Sequence, residues 1–327
     1  MLTYVVRRVL AMIPMLFIIS FISFTIIQLP PGDFLNTLQA AQGTSGGGMS
    51  DETAQLLRER YGLDEPFMTQ YVKWISGFPK GDFGWSFEWS TDVWSLIKDR
   101  IWYTILLGAA SIVIMVVLAI PIGIYSATHQ YSIGDALLSA IAFLGLSVPG
   151  FLLALIWIYI GGILLGWNVI GSQSPQFANQ PMSFAMAWDF FLHLWPAAII
   201  LGLASTAQLM RIMRNGMLDV LNQQYVTTAR AKGLKERVVI NRYVVRAALN
   251  PVVSVVALEI PKIISSSILI GVVLSVPTTG PMFLRALQSQ DMFVAGTFLL
   301  LMSLMLLIAN LIADLVLAWL DPRIVYS

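Results

Sequence analysis

Two groups of residues in this sequence have types and spacings that could do chemistry. The first is the polar segment Gln223–Pro251, which interrupts the apolar C-terminal two thirds of the chain. Its basic residues are Arg230, Lys232, Lys235, Arg237, Arg242 and Arg246. The second group is the pair Glu259 and Lys262, three residues apart inside the next apolar run. Such basic residues can meet acidic groups of a partner, and an ionisable pair in an apolar run can contact a polar solute.

Other kinds of chemistry have no support in the sequence. No Gly-x-x-x-x-Gly-Lys-Ser/Thr segment is present, so nothing is predicted to cradle the phosphates of ATP. The chain has no cysteine, and its two histidines, His129 and His193, lie in different segments. We therefore expect no catalytic residue, no metal site, no bound cofactor and no nucleic-acid partner, and we expect the chain not to be an enzyme.

Composition places these residues in a membrane. The 327 residues are 57% hydrophobic and 11% charged, whereas soluble domains are roughly 25% charged, and the mean hydropathy is +0.77. Helix-length apolar runs exclude a β-barrel, and six of them can cross about 30 Å of hydrocarbon. The sequence therefore predicts an all-α integral membrane protein with six spans, at Val9–Leu29, Tyr103–Ala127, Ala136–Leu165, Leu192–Met210, Val252–Val276 and Phe293–Leu320.

The distribution of Lys and Arg predicts the orientation. Arg7 and Arg8 precede the first span, eight basic residues lie within 211–246, and Arg323 follows the last span. Because basic residues gather in cytoplasmic loops, both termini and the central loop are predicted to be cytoplasmic. The short loop near His129, expected on the same side, has no Lys or Arg and gives no support.

The spans and loops divide the chain into two predicted regions. Residues 1–100 hold the first span and a long outer loop, and residues 101–327 hold five spans with the central loop at about 211–250. In the outer loop, Ser50 is predicted to cap a short helix that ends at Gly62. Its tryptophans are typical of a segment on the membrane interface: Trp74, Trp85, Trp89, Trp94 and Trp102.

The central loop is predicted to form two short helices. Tyr225–Lys232 favours a helix that Gly233 breaks, and Leu234–Leu249 resumes it before Pro251 opens the next span. Two interpretations of this loop stay open. It could dock a separate subunit, or its charge could rest on anionic lipid at about 1 kcal/mol per basic residue.

Polar residues inside the spans allow a path or a structural role. An ionisable residue in mid-bilayer costs about 2.5–3.5 kcal/mol, so Glu259 and Lys262 should neutralise each other while lining a path or fixing helix register. Pro261, followed by Ser265–Ser267, predicts a kink whose freed backbone groups bond to hydroxyls. Ser147 and Pro149 predict a bend in the third span, either toward a path or for packing.

Several short motifs occur in a fixed order along nearly the whole chain. They are Arg7-Arg8…Pro14, Leu29-Pro30-Pro31-Gly32-Asp33, Tyr61-Gly62-Leu63-Asp64…Pro66, Gly81-Asp82-Phe83-Gly84-Trp85-Ser86, Ser147-Val148-Pro149, Thr228-Ala229-Arg230-Ala231-Lys232-Gly233-Leu234 and Leu320-Asp321-Pro322-Arg323. In these motifs the chain resembles permease subunits of bacterial ABC importers of the dipeptide/oligopeptide/nickel family, specifically the member with a long first outer loop.

The resemblance implies a type I ABC importer permease fold and a coupling helix that docks on an ATPase. The docking residues carried over are Thr227, Thr228, Ala229, Arg230, Ala231, Lys232, Gly233 and Leu234. Gln224 replaces the family's leading acidic residue. Gly271, Val276 and Thr278, near the family's outer gate, stand where an acidic residue, an aromatic and a glycine are usual, which leaves the substrate open among peptides, oligosaccharides, opines and other polar solutes.

The resemblance also implies the partners. We expect a multi-pass permease of the bacterial inner membrane, paired with a second homologous permease, two cytoplasmic ATPase subunits that bind ATP and Mg, and a periplasmic or lipid-anchored solute-binding protein, with membrane lipid around it. The candidate path residues are Glu259, Lys262, Ser147 and Pro149. The alternative is a stand-alone secondary transporter or channel with Glu259 and Lys262 as its ion-coupling site, although no inverted repeat is visible.

Overall fold

A computed structural model describes residues 2–29, 55, 58–59, 62, 64–177 and 183–320. The predicted outer helix from Ser50 to Gly62 lies mostly outside these residues, as does the motif segment 321–323. The described chain is almost entirely helical. Its helices are α1 (Leu2–Gln28), α2 (Phe67–Gly77), α3 (Val93–Thr128), α4 (Ile133–Ser147), α5 (Gly150–Trp157), α6 (Phe184–Leu221), α7 (Gln224–Ala231), α8 (Glu236–Val238), α9 (Arg246–Val273), α10 (Thr279–Gln288) and α11 (Met292–Leu320).

Shorter elements join these helices. Single 3₁₀ turns lie at Phe78–Lys80 and Pro175–Phe177, and π-helical segments continue α5 over Ile158–Leu164 and join α8 to α9 over Val239–Val245. Strands β1 (Trp85–Ser86) and β2 (Thr91–Asp92) pair in an antiparallel hairpin.

The predicted helical membrane fold is confirmed. By length and composition, five helical segments of the described chain can cross a membrane: Tyr4–Gln28, Val93–Thr128, Phe184–Leu221, Glu236–Ile260 and Met292–Ile312. The count rises to six if the bent pair α4 and the run Gly150–Leu164 forms one span.

The third predicted span, Ala136–Leu165, is two helices rather than one. They meet at an angle of 101°, far sharper than the predicted bend. Pro149 causes the break, because its ring disfavours the helical region for the preceding residue. Val148 is accordingly extended, with φ −100° and ψ 125°, and the chain turns before α5 begins at Gly150.

Long helices reach into both ends of the region predicted as the central loop, about 211–250. Helix α6 continues to Leu221, because Met213 and Met217 on this extension are fully buried. On the far side, helix runs without a gap from Glu236 through Val273, so Pro251 lies inside α9 and does not open a new helix. Only the stretch 222–235 lies between these long helical segments.

Two compact units make up the chain. One consists of Met1–Trp102 with Thr279–Leu307, and the other of Tyr103–Thr278 with Ile308–Ser327. The segment Thr279–Leu307, which we had assigned to the five-helix region, thus groups with the N-terminal residues.

A buried carboxylate holds that segment in the first unit. Asp291 precedes α11 and is fully buried. Its Oδ2 accepts hydrogen bonds from Ser86 Oγ at 2.7 Å and from the Glu88 amide at 3.1 Å, and its Oδ1 accepts from the Val294 amide at 3.3 Å. Burial raises the pKa of Asp291, and these hydrogen bonds oppose that rise. One side chain therefore caps α11 and fixes the β1–β2 hairpin to it.

Trp74 of α2 is a core residue of the first unit, not an interface anchor. Its ring stacks on Phe24 of α1 with centroids 5.4 Å apart. The ring also lies against Gly296, where an added Cβ would lie 2.9 Å from Trp74 Cζ2. Trp85, Trp94 and Trp102 are exposed, and their position on the membrane interface stays a prediction.

The second unit is organised around α6, which packs against α4 and α9. The close approaches occur at glycines: a Cβ at Gly145 would lie 2.7 Å from the Leu203 carbonyl oxygen, and one at Gly202 would lie 2.8 Å from that of Ser111. Small residues let membrane helices approach closely where burial from water cannot drive association. This packing fixes the positions of the polar side chains that lie on α6 and α9.

We predict that Trp74→Ala destabilises the protein by about 3–5 kcal/mol, the usual cost of removing a large buried aromatic side chain. Thermal unfolding in detergent measures the effect. The matched control Trp102→Ala removes an exposed ring and should change stability by no more than about 0.5 kcal/mol. Equal losses in the two variants would contradict the core position of Trp74.

Candidate functional site

The turn between α6 and α9 carries the predicted docking residues. Helix α7 spans Gln224–Ala231, one residue earlier at each end than the predicted Tyr225–Lys232. Gly233 follows it with φ +76°, a left-handed conformation in which side chains are strained. Leu234 and Lys235 are not helical, and the next helix begins at Glu236. The predicted helix–glycine–helix arrangement is present, with the first helix shifted by one residue and a later restart of the second.

Helix α7 has one face in the core and one face exposed. Val226 and Ala229, three residues apart, are buried at 0% and 4% exposure within the cluster that holds Met217 and Val239. Of the eight predicted docking residues, seven are exposed, and Ala229 is the exception. We therefore define the docking face as Thr227, Thr228, Arg230, Ala231, Lys232, Gly233 and Leu234.

An ion pair joins the two sides of the turn. Arg230 Nη2 lies 2.8 Å from Glu236 Oε1, and Arg230 Nε lies 3.2 Å from Oε2, a two-point contact across Gly233. The hydrogen bonds from Arg230 to Glu236 raise the pKa of Arg230. Exposed pairs of this kind contribute only about 0.2–1 kcal/mol, so the pair orients the turn more than it stabilises it.

A surface pocket of about 480 Å³ lies beside the docking face. Arg230, Glu236 and Arg237 line one side, and Thr128 and His129 from the end of α3 line the other. The loop after α3, which had no charge to place it, therefore lies next to the basic turn. This proximity supports a common side for the two loops.

Asp135 ties the start of α4 to α6 near this turn. Its Oδ2 accepts hydrogen bonds from the Tyr131 amide at 3.1 Å and from Arg214 Nη2 at 3.3 Å. Ser139 Oγ donates to its other oxygen at 3.3 Å, and Ser132 caps the helix. Sequence reasoning missed this cluster, although a capping Ser three residues before an Asp is a recognisable helix start.

The ion pair predicted within the fifth span is present. Lys262 Nζ lies 2.6 Å from Glu259 Oε1, and Ser205 Oγ of α6 donates to Oε2 at 2.5 Å. Glu259 is 2% exposed, whereas the side chain of Lys262 is 58% exposed. The two residues thus have different surroundings. Ser205 was not predicted, because its contact with Glu259 depends on how α6 packs against α9.

The structure does not gather all four candidate path residues at one level. Ser147 and Pro149 are exposed at the bend between α4 and α5. Next to them, a Cβ at Gly150 would meet Ile270 of α9 at 3.3 Å. Ile270 lies eight residues beyond Lys262, or about 12 Å along the helix. The bend and the ion pair are therefore separate polar positions in the same unit.

Comparison with known proteins identifies the family. Residues 119–326 match the model described as "binding-protein-dependent transport system inner membrane component", and residues 1–108 match its N-terminal companion. The chain belongs to this family. It is accordingly a membrane permease component of an ABC transporter, with ATPase activity carried by separate subunits and with a solute-binding protein among its partners.

Individual relatives agree with this assignment along the whole length. The oligopeptide transport system permease protein AppB of Bacillus subtilis (strain 168) is 35% identical over 327 residues, covering 100% of both chains. The glutathione transport system permease protein GsiC of Escherichia coli (strain K12) is 31% identical over 328 residues, again with 100% of both chains covered. The predicted resemblance to the peptide-importer permeases is confirmed.

A solved structure confirms the fold. An inward-facing conformation of the MetNI methionine ABC transporter superposes with a TM-score of 0.53 at 16% identity, covering 69% of this chain and 96% of that chain. The permease therefore has the type I importer fold. Its family is an inner membrane component, which gives its location. The family also favours an ATP-driven importer over the stand-alone transporter that we considered.

We predict that Asp135→Ala destabilises the permease by about 3 kcal/mol, because it leaves Arg214 with an uncompensated, half-buried charge and removes the bonds that order the start of α4. Asp219→Ala, which removes an exposed carboxylate from α6, is the control. Thermal unfolding of the purified variants provides the measurement. A loss in Asp135→Ala no larger than that in Asp219→Ala would show that the cluster has no structural role.

Proposed function

We propose that this permease is one half of a membrane core that imports peptides or similar polar solutes. Its partner in the core is a second, homologous permease. Two cytoplasmic ATPase subunits bind ATP and Mg, and the chain itself binds no cofactor. A periplasmic or lipid-anchored protein delivers the solute, and both termini of the permease are cytoplasmic. The named relatives, an oligopeptide permease and a glutathione permease, support peptides as the substrate class.

The observation that carries the proposal is the two-faced helix α7. Val226 and Ala229 fix it to the core of the second unit, while the docking face is open. Its neighbours in sequence are α6, which ends at Leu221, and the helical run that starts at Glu236. A force on the docking face therefore reaches two membrane helices through short connections.

The proposed cycle uses this connection. ATP binding closes the ATPases, their movement displaces α7, and the attached helices change the core from inward-facing to outward-facing. Glu259 and Lys262, with Ser147 and Pro149 at the bend, are the candidate residues along the path. Surrounding lipid meets the apolar faces, and the exposed aliphatic residues of α1 and α3 support that contact.

We predict that Gly233→Trp leaves the permease inserted and assembled but reduces coupled uptake at least about tenfold. The reason is that Gly233 has φ +76° in open space, so a bulky side chain there strains the turn and projects from the docking face. The assay measures ATP-dependent solute uptake into liposomes that contain the complete transporter, together with ATPase stimulation by the binding protein.

Gly166→Trp is the matched control for this experiment. Gly166 also has positive φ, +67°, and open space around its Cα, but it lies in the turn after the π-helical segment Ile158–Leu164. We expect its uptake to remain within about twofold of wild type. Normal uptake by Gly233→Trp would contradict the docking role of α7, and uptake by the permease alone, driven by an ion gradient, would favour the stand-alone transporter.

A further inference from the structure

Lys262 presents a charged group on an exposed face of a membrane helix. It lies inside α9, far from both Arg246 and Val273, the ends of that helix. Its partner Glu259 is almost completely buried, yet the Lys262 side chain is 58% exposed. The pair is therefore asymmetric: the carboxylate points into the protein, and the ammonium lies at the surface of the unit.

Two hydroxyl groups share this face. Ser265 and Ser266 follow Lys262 by three and four residues, the spacing that places side chains together on a helix, and both are exposed. We call Lys262, Ser265 and Ser266 the polar patch. Leu258 and Leu269, also exposed, bound it along the helix. A polar surface is thus confined to the middle of α9.

The serines of the polar patch differ from their neighbour Ser267. The Ser267 hydroxyl donates a hydrogen bond to the Ile264 carbonyl oxygen of the same helix at 2.6 Å. It is therefore not available to a ligand. Within the described part of the chain, the hydroxyls of Ser265 and Ser266 make no hydrogen bond. In this stretch, the expected bonding of a hydroxyl to the backbone is therefore seen at Ser267 and not at the exposed two serines.

The polar patch is unsuited to hydrocarbon. A lysine in mid-bilayer costs about 2.5–3.5 kcal/mol, and each unpaired hydroxyl adds to that cost. Ionisable residues in such positions face a water-filled cavity or the interior of a bundle. We therefore expect the polar patch to face the inside of the assembled core.

Glu259 is 2% exposed and positions Lys262 from below the surface of the unit. Its two oxygens each have a donor, Lys262 Nζ at 2.6 Å and Ser205 Oγ at 2.5 Å. An ammonium has three N–H donors, and the bond to Glu259 uses one. Two N–H groups of Lys262 and two serine hydroxyls remain as donors on the exposed face.

We propose that the polar patch binds a carboxylate group of the transported solute during its passage. An ionised carboxylate accepts about four hydrogen bonds on two oxygens, which matches the donors that the patch offers. The inference rests on the proposed function and narrows it to carboxylate-bearing solutes. Glu259 is a positioning residue here, since it acts only through Lys262.

Lys262→Gln tests the proposal in the complete transporter reconstituted in liposomes. Two probes are compared, a short peptide with a free C-terminal carboxylate and the same peptide with a C-terminal amide. The readout is the ratio of variant to wild-type initial uptake for each probe, because this ratio cancels any preference of the binding protein. We expect uptake of the carboxylate probe to fall about tenfold and that of the amide probe to fall less than about twofold.

Matched variants separate recognition from structure. Lys262→Arg keeps the charge and should keep the preference, and Lys98→Gln removes an exposed lysine at the start of α3 and should change neither probe. Equal losses for both probes in Lys262→Gln overturn the proposal.

A second variant applies if Lys262→Gln fails to assemble. The double variant Ser265→Ala with Ser266→Ala keeps the ion pair, and we expect it to lower uptake of the carboxylate probe selectively, about threefold. An unchanged ratio in that variant also overturns the proposal.

A second readout distinguishes this inference from the proposed function. In the purified complex in detergent, a water-soluble acylating reagent labels exposed lysines, and mass spectrometry measures the rate at Lys262. We expect the carboxylate probe to slow that rate at least about threefold relative to the amide probe, with no change at Lys98. Protection without any ATP-driven uptake would support the patch while contradicting the importer. Uptake without protection of Lys262, and without selective loss in Lys262→Gln, would support the importer while contradicting the patch.

Discussion

The burial of Val226 and Ala229 is the contact on which the proposed function of the permease depends. A helix of only eight residues is marginal in water by itself. Helix α7 persists because two small apolar side chains on one face enter the core of the second unit. The same contact fixes which residues stay outside. The docking face is therefore a consequence of packing, and its open side is as well defined as its buried side.

The membrane imposes a second constraint, which decides where polar groups lie. In the second unit, Glu259 is buried because Lys262 and Ser205 satisfy both of its oxygens. In the first unit, Asp291 is buried because serine and amide donors surround it. The two carboxylates illustrate one rule, that a buried charge persists only where donors meet it. Their roles differ. Asp291 joins elements within the first unit, whereas Glu259 positions the Lys262 ammonium at the surface of the second unit.

Much of this architecture could be predicted from sequence because the signals are local. Apolar runs locate the spans, and Gly233 marks the break after α7. Long-range contacts could not be predicted in the same way: nothing in the sequence pairs Ser205 with Glu259 or Asp135 with Arg214, which lie far apart along the chain. The helix also continues past the predicted end of the fourth span, Met210, where Met213 and Met217 are buried. A proline alone does not predict where a helix ends. Pro149 breaks a helix, whereas Pro251 lies within one.

The helical run from Glu236 to Val273 connects the docking face to the polar patch. Lys262 lies 26 residues beyond Glu236, or about 39 Å along a helix, with no gap in the backbone helix between them. The segment Val239–Val245 is π-helical, a rare form that is frequent at functional sites. Val239 and Val244 are fully buried, so packing restrains this segment. Displacement of α7 must then either bend the π-helical segment or move α9 as a unit. Because the close contact of Gly216 with Ala248 holds α6 against α9 just beyond that segment, movement of both helices together is the response that the packing favours.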